Sequence, residues 1–218
     1  MKRTAKTKRS TQRSRISKPI KLTLKRTIKL GSLFLQAFVF AAEKHKGQTR
    51  KASTIPYIAH LMGVASLVLE AGGDENLAIA ALLHDVVEDC GGASMLKEVR
   101  RRFGARVAKV VDGCTDADTD PKPPWLARKK AYLRHLRSAN PSVLLVSAAD
   151  KLYNASEILA DLRQHKDEVW TRFKGGKKGT LWYYREVAKI LQRKGPKDLV
   201  VELNRVVSQL LAASRTAI

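Results

Sequence analysis

The stretch Ala80 to Asp89, AALLHDVVED, sets His84, Asp85, Glu88 and Asp89 in a run otherwise made of Ala, Leu and Val. Imidazole and carboxylate groups are donors to divalent metal ions, and burying an unpaired carboxylate costs several kcal/mol unless a cation accompanies it. At 100° per residue on one helix the four positions fall within an arc of roughly 140°, so the side chains are expected to converge. The bland reading is a core histidine with Glu88 and Asp89 facing solvent at a helix end. It accounts for a lone His better than for two polar pairs in an apolar run.

A metal site needs further donors from elsewhere in the chain. His60 in PYIAH opens one predicted helix, and Asp150 sits in LLVSAADKLYN, where Leu144 to Val146 argue for burial. Asp150 and Asn154 share a helix face, with Lys151 adjacent; an Asp150–Lys151 ion pair is the simpler alternative to a ligand role. Two His and two Asp, with no thiolate, suit Mn²⁺, Fe²⁺ or Zn²⁺ and leave positions open for water and substrate. The loop DADTDPKPP leads straight into WLARKKAY. Lys122, Arg128 and Lys129, with Tyr132 one turn onward, are therefore candidates to receive phosphates, an exposed basic helix face being the competing explanation.

His60, His84-Asp85 and Asp150 are arranged like the ligand set of HD-domain phosphohydrolases. Further segments, AAEKHKGQTRKASTIPYIAHLMGVASLVLEAGG, AALLHDVVEDCGG, RRFGARVAKVVDGCTD, PKPPWLARKKAYLRHL, SAADKLYNASEI and RFKGGKKGTLWYYRE, resemble the small alarmone hydrolases of the RelA/SpoT-homologue superfamily, in order, over residues 33–190. The resemblance implies removal of the 3′-pyrophosphate of guanosine 3′,5′-bispyrophosphate, (p)ppGpp, with Mn²⁺ as the usual cofactor and other divalent ions as alternatives. It implies metal binding by His60, His84, Asp85 and Asp150, and positioning and deprotonation of water by Glu88 and Asp89. Arg50 and Lys51 match a basic pair beside the guanosine, and Asn154 a ribose contact. Lys151 and Tyr153 stand where the long bifunctional relatives carry Arg and His, which points to the hydrolase-only branch, as does GTLWYYRE. Trp182, Tyr183 and Tyr184 are assigned to packing, and His45 to orienting a ligand from behind.

The elements that must position these groups read as helices. Apolar residues recur at helical spacing after residue 30 and strand-like alternation is scarce, so an all-α HD-domain bundle of about ten helices is expected. The spacing predicts helices over 32–45, 58–71, 75–89, 95–103, 105–112, 124–138, 142–164, 167–173, 180–193 and 197–213. Asp74 and Ser94 are expected as N-caps, Gly72-Gly73, Gly91-Gly92 and Gly175-Gly176 as terminators, and Pro141 and Pro196 as openers.

The 218 residues, 44% of them apolar, allow one core. The net charge of +22 is concentrated at the start: residues 1–30 hold twelve Lys or Arg and no acid. They are expected to form a basic, disordered tail preceding a hydrolase domain at 31–218. The body stays basic and suits an anionic ligand. The tail has no aromatic residue, so only phosphate attraction remains, and nonspecific RNA contact is the partner it implies. A basic nucleic-acid-binding protein is thus the non-enzymatic alternative, and an HD phosphatase acting on the 2′-phosphate of NADPH the enzymatic one. Cys90 and Cys114 form neither a disulfide framework nor a zinc motif, which fits a cytoplasmic location. No run is apolar enough to span a bilayer.

Overall fold

Leu77 through Leu83 are all buried. A helix with no polar face must be enclosed, and this one, α3 (Glu75–Leu83), packs against α1 (Ser32–Lys44), α2 (Ile58–Glu70), α5 (Gly92–Cys114) and α7 (Pro141–His165). The short α4 (Val86–Cys90) lies between α3 and α5 in the chain, and α6 (Trp125–Ser138) precedes α7. A 3-10 turn (Lys166–Arg172), α8 (Gly176–Lys194) and α9 (Lys197–Thr216) complete the order. The architecture is a computed structural model that describes residues 27–117, 119 and 121–216. The expected basic tail lies outside the described residues as far as residue 26.

The fold is all-α, as the periodicity predicts; the described residues contain no strand, only an isolated bridge between Thr49 and Pro56. Helix α7, at 25 residues the longest among the described residues, is the spine. It packs on α2, α3, α5, α8 and α9, so one helix touches both halves of the bundle. Its start is fixed by the Asn140 side chain, which accepts from Val143 N at 3.1 Å, with Pro141 opening the first turn. Asp74 caps α3 in the same way.

Three local expectations are corrected. Residues 75–89 are not one helix: they break at His84 and Asp85 (φ −100°, ψ −7°). The His84 ring supplies a reason, because its Nδ1 bonds Ala81 O at 2.8 Å, the carbonyl that the residue 85 N–H takes in an unbroken helix. Ser94 is not an N-cap; α5 starts at Gly92, and the Ser94 hydroxyl donates back to Gly91 O at 2.7 Å. Helix α8 begins at Gly176, four residues earlier than the apolar pattern suggests, because its first turn, Gly-Lys-Lys-Gly, carries no apolar periodicity. The expected division near residue 104 is real as geometry: Gly104 sits at φ 89°, ψ 166° and kinks α5 where only glycine is comfortable.

Candidate active site

Four donor atoms meet where α2, the α3–α4 break and α7 come together. His84 Nε2 stands 3.1 Å from Asp85 Oδ2, 3.3 Å from His60 Nε2 and 3.6 Å from Asp150 Oδ1. His60 Nε2 stands 3.5 Å from Asp85 Oδ2 and 3.4 Å from Asp150 Oδ1. An ion held at about 2.1 Å by each donor requires neighbouring donors about 3.0 Å apart in an octahedron and about 3.4 Å apart in a tetrahedron. The observed separations fall at or just beyond those spacings, and the nitrogen and oxygen donors fit a divalent cation. His60, His84 and Asp150 are all buried.

The histidines are aimed from behind. Donation from His84 Nδ1 to Ala81 O directs Nε2 toward the cluster. His60 is gripped by rings, edge-on to Tyr57 at 5.5 Å and to Tyr153 at 5.2 Å. A Cβ on Gly63 would lie 2.1 Å from Tyr153 Cε2, so glycine is what lets α2 approach that ring.

The charges follow from the geometry. Burial opposes the charged form of His84, yet the carboxylates of Asp85 and Asp150 outweigh it and hold its pKa well above the ordinary value. Burial likewise works against Asp85, but the charge on His84 and hydrogen bonds from His60 and His84 keep it well below the carboxylate range. Asp150 is held down against its burial by Lys151 and the two histidines. Lys151 pairs with Asp150 Oδ2, while Asn154 Nδ2 donates to Asp150 Oδ1 at 2.5 Å. The ion pair read from the sequence therefore exists alongside the cluster rather than in place of it.

A second layer lies toward solvent. Glu88 Oε1 accepts from Lys122 at 3.0 Å and Arg128 at 3.5 Å. Asp89 Oδ1 lies 3.5 Å from Lys122, and Asp89 Oδ2 accepts from Gln48 at 3.1 Å. Asp116 clamps Arg128 at 2.5 Å and Lys129 at 2.7 Å. From the segment before α2, Arg50 donates to Asn154 Oδ1 at 3.0 Å and lies over the Tyr153 ring. Burial and the neighbouring Lys129 hold the Lys51 pKa below its ordinary value. A cation-lined wall beside paired carboxylates and a buried N/O donor cluster is suited to hydrolysis of a phosphate ester.

A family model described as "HD domain" matches residues 37–181, a span that includes every donor and every cation just described. The chain belongs to the HD-domain family. This HD-domain chain is 41% identical over 143 residues to guanosine-3′,5′-bis(diphosphate) 3′-pyrophosphohydrolase MESH1 of Xenopus tropicalis, covering 64% of this chain and 75% of that one. It is 41% identical over 140 residues to the Homo sapiens protein of the same name, covering 63% and 73%. Among solved structures it resembles a metazoan orthologue of SpoT, described as hydrolysing ppGpp and as playing a role in starvation responses, with TM-score 0.70 and 27% identity over 88% of this chain and all of that one. The branch inferred from the motifs is the branch these relatives occupy.

Within this HD domain the expected site residues separate into groups. His60, His84, Asp85 and Asp150 converge, with Glu88 and Asp89 beside them; the helix break, not a continuous arc, arranges this. Arg50, Lys51, Asn154, Lys122, Arg128 and Lys129 line the approach. Tyr132 does not: it is 4% exposed, its hydroxyl meets Ser147 Oγ at 2.9 Å, and its ring underlies Lys151. It faces the core because positions 132, 133 and 136 form the buried side of α6.

Tyr183 and Tyr184 are buried as expected, and Trp182 packs edge-on against Trp125 at 6.3 Å. His45 is buried behind Asp89, its Nδ1 2.7 Å from Gln48 Oε1. Sequence reasoning passed over Tyr57, whose hydroxyl donates to Asp85 Oδ2 at 2.6 Å, and also Gln48 and Asp116. PYIAH and HKGQ contain the first two, but nothing in their spacing says what they touch.

Proposed function

We propose that this chain hydrolyses (p)ppGpp at the 3′ position, giving GDP or GTP and pyrophosphate, with Mn²⁺ as its metal. The observation that carries the reading is the meeting of His60, His84, Asp85 and Asp150 at coordination spacing directly beside Glu88 and Asp89. The relatives named for this reaction support the choice of substrate.

In this reading His60, His84, Asp85 and Asp150 hold the ion, which supplies Lewis acidity toward the phosphoryl group and makes water more acidic. Glu88 and Asp89 orient a water and accept its proton as it attacks. Lys122, Arg128 and Lys129 offer donors to the pyrophosphate, exchanging their present carboxylate partners for phosphate oxygens. Arg50, Lys51 and Asn154 flank the nucleoside side. Lys122 and Arg128 already contact Glu88 and Asp89, which supports carboxylates and cations acting on the same bond. Free Cys90 and Cys114 are compatible with a cytoplasmic setting, and residues 1–30 serve as a basic arm with nonspecific affinity for RNA.

The test is pyrophosphate release from ppGpp by chelator-stripped protein, with and without added Mn²⁺, and identification of the nucleotide product. Metal-dependent formation of GDP and pyrophosphate is the expected result. Folded, metal-loaded protein that leaves ppGpp intact but releases phosphate from NADPH would overturn it.

A further inference from the structure

Gln48 belongs to neither donor group, yet its geometry is specified on every side. Its N–H donates to His45 O at 3.0 Å, and its carbonyl accepts from Tyr57 N at 2.9 Å. The turn between His45 and Gln48 passes through Gly47 at φ 79°, a left-handed conformation that side chains resist. The backbone thus presents the Gln48 side chain in one direction.

The side chain joins two groups that cannot join each other. Its Nε2 donates to Asp89 Oδ2 at 3.1 Å, and its Oε1 lies 2.7 Å from His45 Nδ1. An ionised carboxylate only accepts, so the amide nitrogen must face Asp89 and the amide oxygen must face His45. His45 Nδ1 must then carry a proton. His45 Nε2 is buried with no hydrogen-bond partner among the described residues, a position that suits a bare ring nitrogen better than an N–H donor. The same ring stacks on Tyr57, with centroids 5.0 Å apart and planes 25° apart, and Tyr57 donates to Asp85 Oδ2. One stacked pair therefore stands behind both Asp85 and Asp89.

We propose that Gln48 is a positioning residue for Asp89. Held by His45, its amide fixes Asp89 Oδ2, and that hold persists when Lys122, 3.5 Å from Oδ1, turns to phosphate. The carboxylate plane is thereby set for proton transfer before any substrate arrives. This rests on the hydrolase reading above, in which Asp89 acts on the attacking water.

Gln48→Met keeps the length of the side chain and removes both polar ends. It should lower kcat on ppGpp by about ten- to a hundredfold, the range for loss of a supporting hydrogen bond. KM and the Mn²⁺ affinity measured by calorimetry should move by less than about twofold. In an Asp89→Asn background the same substitution should cost nothing more, because its effect passes through that carboxylate. An unchanged kcat, a rise in KM alone, a parallel loss of Mn²⁺ affinity, or full additivity with Asp89→Asn would each overturn the proposal.

A readout independent of turnover is the ¹⁵N NMR spectrum of His45. The parent protein should show the Nδ1-protonated tautomer, and Gln48→Met should disturb it. An Nε2-protonated ring in the parent would overturn the geometry. A parent with the expected tautomer that leaves ppGpp untouched would overturn the hydrolase reading instead, and the kinetic role of Gln48 with it.

Discussion

Mn²⁺ binding to the stripped protein should release about one proton, and His84 is its source. The perturbation is a titration of metal-free protein with Mn²⁺ at several pH values. In that protein His84 Nε2 lies 3.1 Å from Asp85 and 3.6 Å from Asp150. At an effective dielectric of about 20, each pair of unit charges is worth about 5 kcal/mol. Together they exceed the several kcal/mol cost of burying one cation, so the imidazolium persists above its ordinary pKa of 6.5. A metal ion needs the neutral ring and must displace that proton. While His84 stays protonated, each unit rise in pH should tighten apparent binding about tenfold.

Folding stability should show the complementary sign. The raised pKa of His84 contributes stability that is fully present below 6.5 and lost as pH rises through its folded value. The depressed pKa values of Asp85 and Asp150 contribute stability present above the ordinary 3.8 and lost as pH falls through their folded values. Calorimetry in two buffers of different ionisation enthalpy counts the released protons. Binding that releases none and stays flat between about pH 6 and about pH 8 would mean that His84 is neutral without metal, and would refute the electrostatic argument.

Three other outcomes follow from the site. Glu88→Gln should retain Mn²⁺ and lose at least about a hundredfold in kcat; turnover at the parental rate would remove Glu88 from water activation. Gly63→Ala should lower stability by about 1–3 kcal/mol in denaturant melts, because the added methyl meets Tyr153 at 2.1 Å and the ring is wedged against His60; a neutral effect would mean that the ring moves freely. Deleting residues 1–30 should leave ppGpp turnover intact at moderate salt while reducing RNA binding and its salt dependence in anisotropy titrations; turnover lost with the tail would assign those residues to the enzyme proper.

The helices were legible because apolar spacing reports burial, and burial is what the bundle supplies. Even the kink at Gly104 could be anticipated, since glycine marks a backbone conformation. The break at His84 could not. Nothing in HD resists a helix locally, and the interruption goes with a ring that bonds the carbonyl of its own chain at Ala81. Periodicity placed His84 and Asp85 in one arc with Glu88 and Asp89; the structure brings the same residues together by a different route. Tyr132 was misread for a related reason, because KKAY suggests a basic surface whereas only the register of α6 shows which side is covered. Asp116 was hidden among three aspartates of one loop, where choosing one requires knowing that Arg128 and Lys129 face it.

The pairing of cations with carboxylates around Glu88 bears on discrimination. Lys122, Arg128 and Lys129 are bound to Glu88, Asp89 and Asp116, and Lys151 to Asp150. A chain with a net charge of +22 attracts polyanions of every kind, yet these four cations are engaged by internal carboxylates. A visiting anion must therefore replace several ion pairs at once, and a gain at one lysine cannot offset a carboxylate stripped of its cation elsewhere. Phosphates fixed at the correct separations on one small molecule can make that exchange in concert. On the proposed reading that spacing, which a free phosphate lacks, is what the site selects for, where the rest of the surface selects only for charge.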